Sequence, residues 1–201
     1  PLVVKGKVIV GLSGAEYPTR LFIEALDADT GKHVWRRDTI AAPGEPGSDT
    51  WGSDPDNLKF GGASAWITGS YDPALDTIYW GTGNPFPDYD GDVREGDNLY
   101  SDSVVALDAS TGKLRWHYQF TPHDVHDWDA TQVPILTDLT INGQPRKVVM
   151  WANRNGFYYT LDRTNGKLLV AKPFVMTTWA KEIGADGRPV LLPGHTPDEK
   201  C

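Results

Sequence analysis

A short phrase that occurs three times along the chain constrains the fold more than any other feature. Each copy joins an apolar run to an Asp, a Gly-Lys pair and a second apolar run, and the copies are residues 25–35, 105–116 and 159–169. In each copy the glycine can adopt the positive φ that a hairpin turn needs, and the Asp can accept hydrogen bonds from the turn backbone. The first two copies end in Trp35 and Trp116, whereas the third lacks a closing Trp. The repetition predicts a fold built from similar β-hairpins.

Further hairpins are predicted between the copies of this phrase. Apolar runs flank a turn at residues 72–76, and the runs 133–136 and 147–152 supply more strands. No segment has a convincing 3.6-residue period, so the pattern favours an all-β repeat architecture. At about 40–50 residues per four-stranded blade, we predict roughly four blades of a propeller.

Composition limits the classes of partner. A net charge of −8 over 201 residues argues against a nucleic-acid partner, which would require a basic face. No apolar run approaches the roughly 18 residues that span a bilayer, so no membrane span is predicted. The only cysteine, Cys201, permits no internal disulfide. Since the chain starts within a strand-like run and stops after a polar turn, we expect residues 1–201 to be one partial domain, truncated at both ends.

Residues 121–129 contain three Asp and two His directly after a strand-like run. If this segment is extended, Asp127 and Asp129 point to the same side. Two neighbouring carboxylates repel unless a cation or a shared proton lies between them. A solvated acidic loop is the ordinary explanation of such a motif, and the sequence assigns no role to His123 or His126.

Three more polar motifs lie where a strand-like run meets a loop, namely residues 13–16, 61–66 and 80–85. Taken singly, Glu16 is typical of a solvated loop, Trp66 of a β-sheet core and Asn84 of a turn. Their joint occurrence in order, with the hairpin phrases between them, indicates a common site instead. The acidic run at residues 88–92 lacks the spacing and the closing Glu of an EF-hand loop, so it gives little support for calcium binding by that motif.

Together these motifs and the repeated phrase resemble the pyrroloquinoline-quinone (PQQ)-dependent alcohol dehydrogenases of the methanol and ethanol dehydrogenase type. The resemblance covers essentially the whole chain. It implies an all-β fold, a fragment of roughly four blades from an eight-bladed quinoprotein β-propeller. It also implies that tryptophan docking motifs, matched by residues 25–35 and 106–116, hold adjacent blades together. The third copy departs from this docking pattern because no Trp follows Gly166.

The resemblance implies a role for each site residue. The residues it assigns to quinone binding are Ser13, Gly14, Ala15, Ser64, Trp66 and Arg154. The residues it assigns to the metal are Glu16, Asn84, Asp127 and Asp129. Trp66 corresponds to an indole stacked on one face of the quinone, and Arg154 to a basic residue near its reactive carbonyls. Asp127 corresponds to the general base that removes the alcohol proton, while the metal polarises the quinone C5 carbonyl and hydride passes from the carbinol carbon to C5.

Asp129 bears on the choice of metal. In calcium-using relatives the position two residues after the base is small or uncharged, whereas an Asp resembles the lanthanide-using branch. Glu16, Asp127 and Asp129 would offer three negative charges from hard oxygen donors, which suit a trivalent ion better than a divalent one. We therefore expect one lanthanide(III) ion in preference to Ca²⁺.

The resemblance also implies partners and a location. It implies a small primary alcohol as substrate, a c-type cytochrome as electron acceptor and a periplasmic setting, and it allows a homodimer. The loop at residues 86–100 is closer to the ethanol-type members. A non-catalytic propeller that serves as a protein-binding scaffold is the main alternative, although such a scaffold has no need for Glu16, Asn84 and Asp127. A glycosidase would need two acids across a sugar cleft, for which Asp127 and Asp129 are poorly placed.

Overall fold

Three antiparallel four-stranded sheets follow one another along the chain in the computed structural model, which describes residues 1–194. The strands in chain order are β1 (Leu2–Val4), β2 (Lys7–Gly11), β3 (Thr19–Arg20), β4 (Phe22–Asp27), β5 (His33–Asp38), β6 (Gly61–Gly62), β7 (Ser70–Asp72), β8 (Thr77–Gly81), β9 (Ser103–Asp108), β10 (Leu114–Gln119), β11 (Ile135–Ile141), β12 (Gln144–Ala152), β13 (Phe157–Asp162), β14 (Leu168–Pro173), β15 (Ala180–Ile183) and β16 (Pro189–Leu191). The sheet orders are β1-β2-β4-β5, β7-β8-β9-β10 and β11-β12-β13-β14.

Two small pairs complete the β-structure. Strands β15 and β16 form a separate antiparallel pair after the third sheet, and β3 and β6 form a short parallel pair. The prediction of an all-β repeat fold is thus confirmed, with three four-stranded blades and one further two-stranded pair in the described part of the chain. Cys201 lies outside the described residues.

The repeated phrase forms the hairpin between the third and fourth strands of each blade. Asp27 in the first copy accepts hydrogen bonds from the backbone N–H and the hydroxyl of Thr30. Asp108 makes the equivalent bonds with Thr111, and Asp162 accepts from the backbone N–H and the hydroxyl of Thr164, two residues further along. The turn glycine has a positive φ each time, which only glycine adopts without strain. The sequence therefore predicted both the position and the chemistry of these turns.

Tryptophan side chains join the blades. The Trp35 indole lies flat against Gly112 of the next copy, where an added Cβ would come within 2.7 Å of ring atom Cδ2, and its Nε1 donates to Ala109 O at 3.3 Å. Trp116 lies in the same way against Gly166. The docking contacts implied by the family resemblance are thus present between blades one and two and between blades two and three.

The middle blade is packed on both faces. On β8 and β9, Ile78, Val105 and Leu107 face a cluster shared with the first blade. The alternate residues, such as Tyr79 and Val104, face a cluster shared with the third blade. Because successive side chains of a strand point to opposite faces, a strand buried on both sides reads as a continuous apolar run.

The loop between the first two blades contains the principal helical element. Helix α1 spans Pro55–Phe60; its N-cap Asp54 accepts from Asp56 N, and Pro55 occupies the first turn, where a missing N–H costs nothing. A 3-10 turn spans Ser48–Thr50. Sequence patterning did not predict α1, since six residues are too few to show a helical period. No helix in residues 1–194 has the length and apolar character needed to cross a membrane.

Candidate active site

The candidate site residues come from equivalent places in successive blades. The loop after the second strand of a blade carries Glu16 in the first blade, Asn84 in the second and Arg154 in the third. The loop that leads into the first strand of the next blade carries Trp66 before β7 and Asp127 before β11. Backbone bonds join the two kinds of loop: Ala65 N donates to Leu12 O at 2.7 Å, and Ala130 N donates to Thr82 O at 3.0 Å. All the predicted positions therefore lie at one end of the blades.

Asn84 and Asp129 are in direct contact. The backbone N of Asn84 donates to Asp129 Oδ1 at 3.0 Å. Gly83 makes this approach possible, because a Cβ there would collide with Asp129 Oδ1 and would lie 2.5 Å from Ser64 Oγ. Gly83 N in turn donates to Ser64 O at 2.7 Å. A backbone without a side chain at position 83 thus brings together residues predicted for both metal and quinone binding.

Asp127 and Asp129 do not lie on an extended segment, so the sequence argument for their common direction is wrong. Both residues have a positive φ, 58° and 54°, in a loop without regular structure. They are nevertheless close enough for the charge of Asp127 to raise the pKa of Asp129. Asp124 shapes the turn, since its Oδ1 accepts from His126 N at 2.9 Å and its Oδ2 from Trp128 N at 2.8 Å. These bonds stabilise the turn that presents both carboxylates.

Two carboxyl groups of the site, those of Asp127 and Asp129, have raised pKa values. Burial raises the pKa of Asp129 to about 6, and the charge of Asp127 adds to this, while the bond from Asn84 N opposes it. Burial also raises the pKa of Asp127 against the opposing charge of Arg154, and the charges of Asp124 and Glu16 add to the increase. The positive charge of Arg154 favours the ionised form of Asp127 but does not offset the effect of burial.

Asp88 is a site residue that sequence reasoning missed. Its Oδ1 accepts from Asn84 Nδ2 at 2.7 Å. Burial raises the pKa of Asp88 to about 6, and the charges of Asp127 and Glu16 add to this. The mutual effects show that Glu16, from the first blade, and Asp127, before the third, approach the same group. The sequence offered no signal for Asp88 beyond its membership of an acidic run without metal-loop spacing.

Arg94 connects the loop that carries Asp88 to the loop that carries Asp124 by hydrogen bonds. Sequence patterning did not identify this residue either. The residue is fully buried, and its guanidinium donates to Pro87 O and Asp88 O at 2.8 and 2.9 Å. It also donates to Asp124 O and to Asn98 Oδ1. A planar five-donor group suits such a junction of carbonyls. An isolated Arg in a polar loop gives no sequence signal of burial.

A further buried carboxylate lies behind the site. Both oxygens of Asp102 lack a hydrogen-bond partner among the described residues. Burial raises its pKa well above the usual value, and the charges of Asp124 and Asp129 act in the same direction. The buried surroundings of Asp102 therefore disfavour the ionised form of its carboxyl group.

Arg154 and Trp66 are both about half exposed. Arg154 Nη1 lies 3.3 Å from Asp129 Oδ2, with about half of the Arg154 side chain exposed. Trp66 is 50% exposed, so an indole face remains accessible to a flat ring. In the loop after β2, Ser13 and Glu16 are exposed and Ala15 is buried. Gly14 has φ +114°, which a residue with a side chain rarely adopts, so it allows the turn that presents Glu16.

His123 and His126 contact other parts of the chain. His123 Nδ1 lies 2.8 Å from Gly96 O. The His126 ring stacks on Trp128 with centroids 3.9 Å apart, and Trp128 contacts Trp179 in turn.

The donor chemistry fits a hard cation. Glu16, Asn84, Asp127 and Asp129 offer only oxygen ligands, and burial with mutual repulsion raises the pKa of two of these carboxyl groups. Among residues 1–194, no three Asp, Glu, His or Cys side chains are gathered closely enough to hold an ion by themselves. A site here would thus combine carboxylates with the amide oxygen of Asn84, and a bound cation would offset the repulsion among them.

Comparison with known proteins gives the class of this fold and site. The family model for the PQQ glucose/ethanol/alcohol dehydrogenase β-propeller domain matches residues 1–173. The chain belongs to this family of quinoprotein β-propellers.

Individual relatives agree with this assignment. Quinohemoprotein alcohol dehydrogenase ADH IIB of Pseudomonas putida is 49% identical over 96% of this chain and 30% of its own length. The lanthanide-dependent methanol dehydrogenase of Methylacidiphilum fumariolicum is 40% identical over 96% of this chain and 34% of its own length. The structure of a europium-containing methanol dehydrogenase superposes with a TM-score of 0.91 at 41% identity, covering 96% of this chain and 36% of the other. The chain thus spans about a third of the length of these relatives.

Proposed function

We propose that residues 1–201 form part of a quinoprotein β-propeller that oxidises a primary alcohol to the aldehyde. Residues from three blades would share the reaction at the end where their loops meet. The observation that carries the proposal is the convergence of Glu16, Asp127 and Asn84 at Asp88, through two charge interactions and one hydrogen bond. These groups come from loops far apart in the sequence, which a solvated acidic loop does not explain.

Quinone binding is the first role proposed for the pocket. The residues for this role are Ser13, Gly14, Ala15, Ser64, Trp66 and Arg154. The half-exposed indole of Trp66 offers an aromatic face on which a flat ring can stack. The guanidinium of Arg154 offers donors to carbonyl oxygens on the same side as Asp129.

Cation binding is the second role. Glu16, Asn84, Asp127 and Asp129 are the proposed ligands, and a hard cation beside the quinone would polarise its carbonyl while the quinone accepts hydride. In the absence of a cation, burial raises the pKa of Asp127. A base must be ionised, and a nearby cation lowers the pKa of a carboxyl group, so we propose that cation binding also favours the Asp127 carboxylate that accepts the alcohol proton.

A trivalent ion is favoured over a divalent one by charge. Asp129 is 6% exposed and its pKa is raised to about 6. An ion of higher charge offsets more of the repulsion among Glu16, Asp127 and Asp129. We therefore propose a lanthanide(III) ion, with Ca²⁺ as the alternative. A c-type cytochrome acceptor, a periplasmic location and a homodimer complete the proposal, on the family resemblance alone.

Reconstitution tests the proposal. The complete natural chain containing residues 1–201 would be purified without metal and loaded with quinone plus either Ca²⁺ or La³⁺, and methanol and ethanol oxidation would be followed by dye reduction. We expect alcohol-dependent reduction with La³⁺ and a smaller rate with Ca²⁺. Full activity with Ca²⁺ and none with La³⁺ would refute the metal assignment. Failure to bind quinone under any of these conditions would favour a non-catalytic scaffold.

A further inference from the structure

The side-chain amide of Asn84 is held in one orientation. Asn84 is only 1% exposed, and Nδ2 uses both of its hydrogens. One is donated to Asp88 Oδ1 at 2.7 Å and the other to Pro85 O at 3.2 Å. Among residues 1–194, no group donates to Asn84 Oδ1. The oxygen end of the amide is therefore left free while the nitrogen end is fully engaged.

Orientation matters because the two ends of a carboxamide have nearly the same shape and opposite chemistry. A rotation by 180° would turn the NH₂ group toward the proposed cation. It would also place the Asn84 oxygen against the Asp88 carboxylate and the Pro85 carbonyl, both of which are acceptors. The acceptors around Nδ2 thus disfavour the orientation that cannot bind a cation.

The bond to Asp88 also acts on the strength of the Asn84 oxygen as a ligand. A hydrogen bond from an amide N–H to a carboxylate is charge-assisted and draws the amide toward its polar resonance form. That form places more negative charge on Oδ1. Groups that orient and polarise a metal ligand in this way typically change metal affinity when they are removed.

Asp88 itself is fixed by the buried Arg94. The guanidinium donates to Pro87 O and Asp88 O, so the backbone on both sides of the Pro87–Asp88 peptide is anchored. The carboxylate therefore has a defined position relative to Asn84. Asp90 and Asp92 follow on the same loop with exposed side chains, and neither bonds to Asn84 in the described structure.

We propose that Asp88 is a positioning residue for the metal site: its carboxylate fixes the Asn84 amide with Oδ1 directed to the cation and increases the affinity for that ion, most of all when the ion is trivalent. The inference rests on the proposed function, because it takes Asn84 as a cation ligand. It assigns Asp88 no contact with substrate or quinone.

The test is metal affinity measured apart from activity. The complete natural chain, purified without metal and loaded with quinone, would be titrated with Tb³⁺, and the Tb³⁺ luminescence sensitised by protein tryptophan would be recorded. Asp88→Ala removes both the acceptor and the charge, and we expect the Kd for Tb³⁺ to rise about 10–100-fold. Asp88→Asn keeps an acceptor oxygen for Asn84 Nδ2 and should lose less affinity than Asp88→Ala. Asp92→Asn removes the same charge from an exposed position of the same loop and should change the Kd less than about twofold.

A double substitution separates positioning from other roles. In an Asn84→Ala background no amide remains to be oriented, so Asp88→Ala should have little further effect on the Kd. Equal losses in the presence and absence of Asn84 would show that Asp88 acts independently and would overturn the inference. Circular dichroism and urea unfolding of each variant verify that the fold is kept.

The outcomes also distinguish this inference from the proposed function. If Asn84→Ala weakens Tb³⁺ binding and Asp88→Ala does not, the inference is wrong and the cation site stands. If Asp92→Asn matches Asp88→Asn and Asp88→Ala, only general charge is at work, and the inference again fails. If the unaltered protein binds no Tb³⁺ in the presence of quinone, the cation site and the inference fall together.

Discussion

Asp129 should make the stability of the metal-free protein depend on pH. Burial raises its pKa from 3.8 to about 6. Because the raised value belongs to the folded state, the contribution to stability is fully present below pH 3.8 and is lost as the pH rises through about 6. At 1.36 kcal/mol per pKa unit, the ionised carboxylate costs the folded state about 3 kcal/mol at pH 7.5. Asp129→Asn removes this cost, so the variant should gain about 2.4 kcal/mol relative to the unaltered protein between pH 4 and pH 7.5, since about 0.6 kcal/mol of the cost is already present at pH 4.

Urea unfolding of the metal-free complete chain at pH 4, 5, 6 and 7.5 measures this difference. Glu182→Gln, on the exposed side of β15, is a control whose difference from the unaltered protein should change by less than about 0.5 kcal/mol over the same range. Added La³⁺ at 1,000 times its Kd should reverse the result at pH 7.5, because an ion at that concentration stabilises the unaltered protein by about 4.1 kcal/mol. A flat difference between Asp129→Asn and the unaltered protein from pH 4 to 7.5 would refute the assignment of a buried, repelled carboxylate.

Three substitutions test other parts of the molecule. Gly112→Ala places a Cβ against the buried Trp35 ring at φ +70° and should lower the free energy of unfolding in urea by about 2–4 kcal/mol. The control Gly143→Ala, at φ +76° in open space, should lower it by about 1 kcal/mol. Equal losses in the two variants would contradict the docking contact. Trp66→Ala should weaken quinone binding at least about tenfold in calorimetric titration. The free energy of unfolding should change little, because the Trp66 ring is half exposed. Unchanged quinone affinity would exclude stacking. Asp127→Asn should lower kcat by about 10²–10⁴-fold at saturating metal, and a loss explained entirely by weaker metal binding would exclude its role as base.

The repeating architecture could be predicted because its determinants are local. A hairpin needs an Asp that bonds to the turn and a glycine at positive φ, and both recur at fixed spacing. Trp35 and Gly112 belong to such copies, so recognising the phrase also located the contact between blades. The continuous apolar run of β8 corresponds to its burial on both faces in the structure.

The inner arrangement of the site could not be predicted in the same way. Asp127 and Asp129 were treated as part of an extended strand, yet their positive φ values depend on the turn bonds of Asp124. Asp88 and Arg94 act through contacts with residues distant in the sequence, and neither belongs to a periodic pattern. Long-range contacts of this kind are specified by the packed fold and leave no local signature.

The position of the bound cation tests the central claim most directly. A crystal of the complete protein with quinone and a lanthanide would be measured at the absorption edge of the metal, so that anomalous scattering locates the ion. We predict one strong peak about 2.3–2.6 Å from oxygens of Glu16, Asn84 and Asp127. A peak elsewhere in the molecule, with these three side chains directed away from one another, would contradict the proposed site.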